Sequence, residues 1–127
     1  MKEIIYTSDA PAPIGPYSQA VKVGNTLYVS GQIAIDPESG ELKISSIKEE
    51  TEQVMANMQA ILAAANITFS QVVKCGIFLK RMSDFNEVNE IYATYFPSQA
   101  PARETVEVSQ LPKNVNVEIS CIAVLDS

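Results

Sequence analysis

The stretch VNVEISCIAVL, Val115 to Leu125, is apolar on both of its faces. A strand turns successive side chains to opposite sides, so Val115, Val117, Ile119, Cys121, Ala123 and Leu125 share one face. Asn116, Glu118, Ser120, Ile122 and Val124 share the other. A sheet covered by helices on one side should be wet on its other side, yet this second face also becomes apolar. It needs a second layer that a chain of 127 residues can barely supply alone. The expectation is oligomerisation, with the second sheet face against neighbouring subunits. Glu118 then lies near the edge of that interface and requires a partner or a wet cavity, because desolvating its charged form is costly.

Upstream, VVKCGIFLK, Val72 to Lys80, is a β-branched and aromatic run with the character of an interior strand. Two amphipathic helices flank it. Ile47, Thr51, Val54, Met58, Ile61, Leu62 and Ala65 recur at three and four, which predicts a helix over about 47–65 that packs one face on a sheet. Ser46 with Glu49 forms its capping box. Asp84 with Glu87 is expected to cap a second helix over roughly 85–96, with Phe85, Val88, Ile91, Tyr92 and Tyr95 as its stripe. Residues 18–23 and 26–30 flank Gly24-Asn25, a pair suited to a two-residue hairpin, and DPESG, Asp36 to Gly40, collects turn formers. A further strand over about 104–109 precedes the last. The order of three short strands, helix, strand, helix and two strands implies an α+β sandwich, a mixed sheet with two helices on one face.

Composition restricts what such a fold does. The length and the 46% apolar content suit a single domain spanning 1–127 with its own core. Fifteen acidic against nine basic side chains leave a net charge of -6, which repels a phosphate backbone and makes nucleic acid an unlikely partner. No run of about 18 apolar residues and no signal-like start is present, so the expected location is cytoplasmic, without membrane association. Cys75 and Cys121 lie in apolar runs without CxxC spacing and read as buried thiols. No histidine occurs. Acid-base chemistry near neutral pH therefore falls to a carboxylate, a tyrosine, a lysine or water.

Two further polar residues stand out. In APARETVEV, Ala100 to Val108, Arg103 opens a strand-like alternation and reads either as a surface cation or as an anion site. Asn89 falls beside the apolar stripe of the second helix, where an unpaired amide costs about 1 to 3 kcal/mol, so it either caps a backbone group or contacts a ligand.

The separated motifs IGPYSQAV (14–21), LYVSGQIAIDPESGEL (27–42), DFNEVNEIYATYF (84–96), PARETVEVSQLPKNVNVEI (101–119) and the final IAV (122–124) resemble the reactive intermediate deaminases, the Rid/YjgF family, most of all its RidA branch. The resemblance spans essentially the whole chain. It implies a chorismate-mutase-like (bacillus-type) fold and a homotrimer with a central β-barrel, outer helices and three sites in clefts between subunits. By resemblance, Arg103 of PAR grips the substrate carboxylate and Glu118 of VEI orients or activates water. Tyr17 of GPY, Asn89 of VN, Ser30 and Gly31 of SGQ and the main chain at Thr105 line the cleft. The reaction implied is hydrolysis of 2-iminobutanoate and 2-iminopropanoate to 2-oxo acids and ammonia, with no cofactor and no metal. Two other roles remain open at this stage: a non-catalytic sensor of 2-oxo acids, and an RNA-directed translation inhibitor or endoribonuclease, which the net charge disfavours. Glu104 stands where the family commonly has a small hydroxyl residue, Thr105 where RidA proteins often have cysteine and Ser120 where a second glutamate is frequent. The short link PSQAPAR, 97–103, also bears on substrate size. Strand alternation is expected to turn Glu104 away from Arg103.

Overall fold

The computed structural model describes residues 1–125 and is a mixed α+β structure. Its strands are β1 (Lys2–Ile5), β2 (Ala20–Val23), β3 (Thr26–Gln32), β4 (Val72–Leu79), β5 (Ala102–Glu107) and β6 (Val117–Val124), with helices α1 (Ile47–Ala64) and α2 (Phe85–Thr94). They form one six-stranded sheet in the order β1-β2-β3-β6-β4-β5. Only β4 and β5 pair in parallel, joined by the crossover through α2, and the remaining pairs are antiparallel.

Both helices share one core with alternate residues of the sheet. Val54, Met58, Ile61 and Leu62 of α1 and Val88 and Tyr92 of α2 pack with Cys75, Ile77, Leu79, Val117, Ile119, Cys121 and Ala123. The expected face of β6 is thus buried beneath the helices, and both cysteines are buried free thiols. The opposite face is open in the single chain. Tyr28, Val106 and Val124 are 50%, 41% and 39% exposed there, beside half-buried Phe78 and Ile122. No described helix is long and apolar enough to cross a membrane.

Local chemistry explains the boundaries. Ser46 Oγ accepts the Glu49 N–H at 3.1 Å and starts α1. The reciprocal half of the expected capping box is absent, because the Glu49 carboxylate accepts from Ser45 Oγ instead. Asn66, at φ 60°, closes α1 in the left-handed conformation. At α2 the expected cap is corrected. Asp84 lies at φ -87° and ψ 0°, continuing a 3-10 turn over Met82–Asp84, so its side chain makes no capping hydrogen bond. Glu107, at the end of β5, accepts the Met82 N–H at 2.8 Å and ties down that turn. The helix ends at Thr94, two residues before the expected end at 96. The hairpin turn forms at Gly24, φ 59°, with Val23 opposite Thr26. Strand β5 begins at Ala102, so Arg103 sits inside the strand and not before it.

Candidate functional site

A cleft of about 370 Å³ lies between the segment before β2, the end of β3 and the start of β6. Tyr17, Ser30, Gly31 and Glu118 line it, and Pro11, Ile14, Ile33 and Pro112 give it an apolar wall. Gln19, which is buried, holds the wall in place. Its Oε1 accepts the Thr7 N–H at 2.8 Å, and its Nε2 donates to the carbonyls of Thr7 and Pro11 at 3.0 and 2.9 Å. Ser30 adds a second tie, its Oγ donating to the Ser18 carbonyl at 2.6 Å.

The β3–β6 register shifts between Val29 and Gln32, and this irregularity brings the Gly31 backbone against Glu118. A Cβ at position 31 would lie 1.9 Å from Glu118 Oε2 and 2.8 Å from its Cδ, so the carboxylate occupies the space that glycine leaves. Among the described residues no lysine or arginine nitrogen reaches salt-bridge distance of Glu118. Burial raises its pKa above the ordinary glutamate value. A desolvated carboxylate in a cleft open to solvent is a candidate proton carrier.

Arg103 belongs to different surroundings. Its Nη1 donates to Asn89 Oδ1 at 2.6 Å, and its guanidinium lies over the rings of Phe85 and Tyr92, 5.5 and 5.0 Å from their centroids. Asn89 thus neither caps the backbone nor stands free: it holds the arginine. No carboxylate among the described residues forms a salt bridge with Arg103. The guanidinium therefore keeps donors for an external anion, with one nitrogen fixed by an amide and its faces supported by aromatic rings. Thr105 Oγ1 and Tyr92 Oη are buried nearby on this helix face without hydrogen-bond partners. Burial pushes the Tyr92 phenol and the Cys75 thiol above their ordinary values, so neither is an ionised nucleophile at neutral pH.

The sheet register decides how these groups relate. Arg103 and Cys121 both lie opposite Cys75, while Glu118 lies opposite Phe78. Cys75 and Phe78 are three residues apart in one strand and face opposite sides. One chain therefore places Asn89, Arg103 and Thr105 on the helix face, and Glu118 with Tyr17, Ser30 and Gly31 on the open face. The seven residues expected from the sequence thus fall into two groups, one on each face of the sheet. Glu104 turns from Arg103 as alternation requires, and its Oε1 lies 3.4 Å from Lys74 Nζ. Among the described residues no group of three His, Cys, Asp or Glu side chains is placed to hold a metal ion. Sequence reasoning missed Gln19, the Phe85–Tyr92 support of Arg103 and the buried Glu50. An apolar-stripe count ranks a glutamine or glutamate as surface and a tyrosine as core, so it carried no signal for any of them.

Residues 7–125 match the family described as Endoribonuclease L-PSP. The chain is a member of this family, the Rid/YjgF group. It is 54% identical over 123 residues to a RutC family protein of Pyrococcus horikoshii, covering 97% of this chain and 98% of that protein. To the 2-iminobutanoate/2-iminopropanoate deaminase of Mus musculus it is 48% identical over 124 residues, covering 98% and 92%. The crystal structure of E. coli TdcF with bound serine superposes with a TM-score of 0.94 at 35% identity, covering 98% of this chain and 99% of that one. The Rid match accounts for the mixed six-stranded sheet and its two helices, and deaminase activity occurs among Rid relatives.

Proposed function

We propose that this Rid protein is a hydrolytic deaminase of small 2-imino acids, including 2-iminobutanoate and 2-iminopropanoate, and that it works as a homotrimer. Each site joins the Arg103 half of one copy to the Glu118 half of the next, with the open sheet faces packed into a central barrel. One observation carries this reading: an anion-seeking arginine and a burial-shifted carboxylate, each without a charged partner among the described residues, lie on opposite faces of one sheet. A heterologous interface between copies unites such halves and repeats the same contact around a closed ring. The exposed Tyr28, Val106 and Val124 give that interface apolar surface to bury. TdcF with its bound serine supports a ligand of amino-acid size and charge.

In this mechanism Arg103 binds the substrate carboxylate through parallel N–H donors, and Asn89 with the two rings keeps the guanidinium plane fixed. The apolar wall at Ile14 and Ile33 receives a short aliphatic substituent. Glu118 takes a proton from water as the water oxygen bonds to the imine carbon, and passes it to the imine nitrogen to give a neutral carbinolamine. It then takes the carbinolamine hydroxyl proton as the carbonyl forms and delivers it to nitrogen as the C–N bond breaks, releasing ammonia and the 2-oxo acid and leaving Glu118 as it began. Orientation and one acid-base group suffice, a positioned group contributing about 10²- to 10⁴-fold. Arg103→Ala is expected to abolish imine removal in an assay fed by a pyridoxal-phosphate dehydratase while the oligomer stays intact. Full activity in that variant would remove the assignment.

A further inference from the structure

We propose that Glu50 is a positioning residue that fixes where Glu118 enters the cleft. This rests on the reading of Glu118 as the group that handles the water proton. Glu50 lies in α1 at 0% exposure, and no lysine or arginine among the described residues forms a salt bridge with it. Its carboxylate is held by donors alone. Oε2 accepts the N–H groups of Asn116 and Val117 at 2.7 and 3.1 Å, and Oε1 accepts Asn116 Nδ2 at 2.8 Å.

Two consecutive peptide N–H groups of a regular strand point to opposite sides, so one oxygen accepts both only where the chain turns into the strand. Glu50 therefore clamps the entry to β6, immediately before Glu118. From the other side the Asn116 carbonyl accepts the Lys80 N–H at 2.9 Å. The preceding turn needs such a clamp. Lys113 and Asn114 both adopt left-handed φ, 54° and 57°, which non-glycine residues resist. Pro112 of the same turn lines the cleft. The Glu118 carboxylate fills the space beside Gly31, so a shift of β6 displaces it within the cleft. A neutral side chain would be the easier group to bury at position 50, but only a carboxylate offers enough acceptor capacity to all three donors.

Glu50→Gln tests this in the full-length protein. The amide brings a donor of its own to three donors, so at least one contact is lost. Two readouts separate positioning from bulk stability: the titration of the Glu118 carboxyl carbon by 13C NMR, and the division of the activity loss between kcat and KM. The expected results are a Glu118 midpoint moved by more than about half a pH unit towards the ordinary value and a kcat lowered at least about 10-fold with KM within about 3-fold. Adding Asn116→Asp lets the new amide donate to a carboxylate and should restore much of both. If Glu50→Gln does not fold, Asn116→Ala keeps both backbone contacts to Glu50, removes the side-chain one and the 3.4 Å contact from Arg81 Nη1 to Asn116 Oδ1, and should move the Glu118 midpoint in the same direction by less; Arg81→Ala alone should leave that midpoint unchanged. A lowered melting temperature with unchanged Glu118 titration and unchanged kcat would overturn the proposal and leave Glu50 a purely structural residue. Should the wild type lack imine hydrolysis, the deaminase reading fails, while the titration still decides whether Glu50 positions Glu118.

Discussion

An alanine at position 31 would set its Cβ 1.9 Å from Glu118 Oε2 and 3.0 Å from Cγ. Bonded geometry fixes the Cβ, and Ser30 ties the adjacent backbone to the Ser18 carbonyl, so the carboxylate must give way. Reaching even a tight 3.0 Å contact requires Oε2 to retreat by about 1.1 Å. A displacement of about 1 Å in a reacting group lowers rates by about 10²-fold, equivalent to about 2.7 kcal/mol of transition-state stabilisation. Gly31→Ala should therefore reduce kcat about 100-fold. The melting temperature should fall by less than about 5 °C, because the clash meets the end of a flexible side chain and not backbone. Activity is read with a dehydratase that generates the imine in the cuvette, following loss of its absorbance. In a Glu118→Ala background the three atoms nearest the alanine Cβ are gone, and its stability cost should disappear. A kcat within about 3-fold of wild type, or a stability cost that persists without Glu118, would refute the claim that Gly31 is there to seat that carboxylate.

Arg103→Lys keeps the charge but loses the planar pair of donors and the ring stacking, and should lower kcat/KM about 100-fold in the same assay. Asn89→Ala leaves the guanidinium supported by the rings alone, so a smaller loss of about 10-fold is expected, mostly in KM. Glu118→Gln should alter stability with pH in a defined sense. Burial raises the pKa of Glu118 in the folded state, so the folded form binds the proton more tightly than the unfolded form and stability is lost as pH rises from the unfolded value through the folded one. Glutamine removes that loss. Thermal melts should show Glu118→Gln above wild type at pH 7 and equal to it below about pH 4; an equal offset at both would mean that the carboxylate is not desolvated.

Much of the fold was readable because it follows from periodicity. Alternation in 115–125 gave the correct buried face of β6, the three-and-four spacing placed α1, and Gly24-Asn25 placed the hairpin. The start of α2 at Phe85 was placed correctly but its cap was not, because Asp84 has the composition of a cap but a helical backbone conformation, which the preceding 3-10 turn explains. The motifs pointed to seven candidate residues, yet no local pattern revealed that they divide between two faces. That division depends on the β5-β4-β6 register, and Arg103 and Glu118 belong to strands that do not pair with each other. Gln19, Asn57 and Glu50 were invisible for a related reason. Each is buried because it satisfies backbone groups distant in sequence, as Asn57 does for the Ile33 and Ile35 carbonyls at 3.0 and 2.9 Å.

If each working site takes Arg103 from one copy and Glu118 from another, as proposed, mixing of subunits will reveal it. Arg103→Ala and Glu118→Gln proteins, each inactive alone, are unfolded together, refolded at equal concentrations and assayed for imine hydrolysis. With random assembly, a site built across two copies receives both intact groups in about one quarter of cases, so the mixture should recover about a quarter of wild-type activity. A mixture as inactive as its components, with mixed oligomers confirmed by native mass spectrometry, would contradict the composite site.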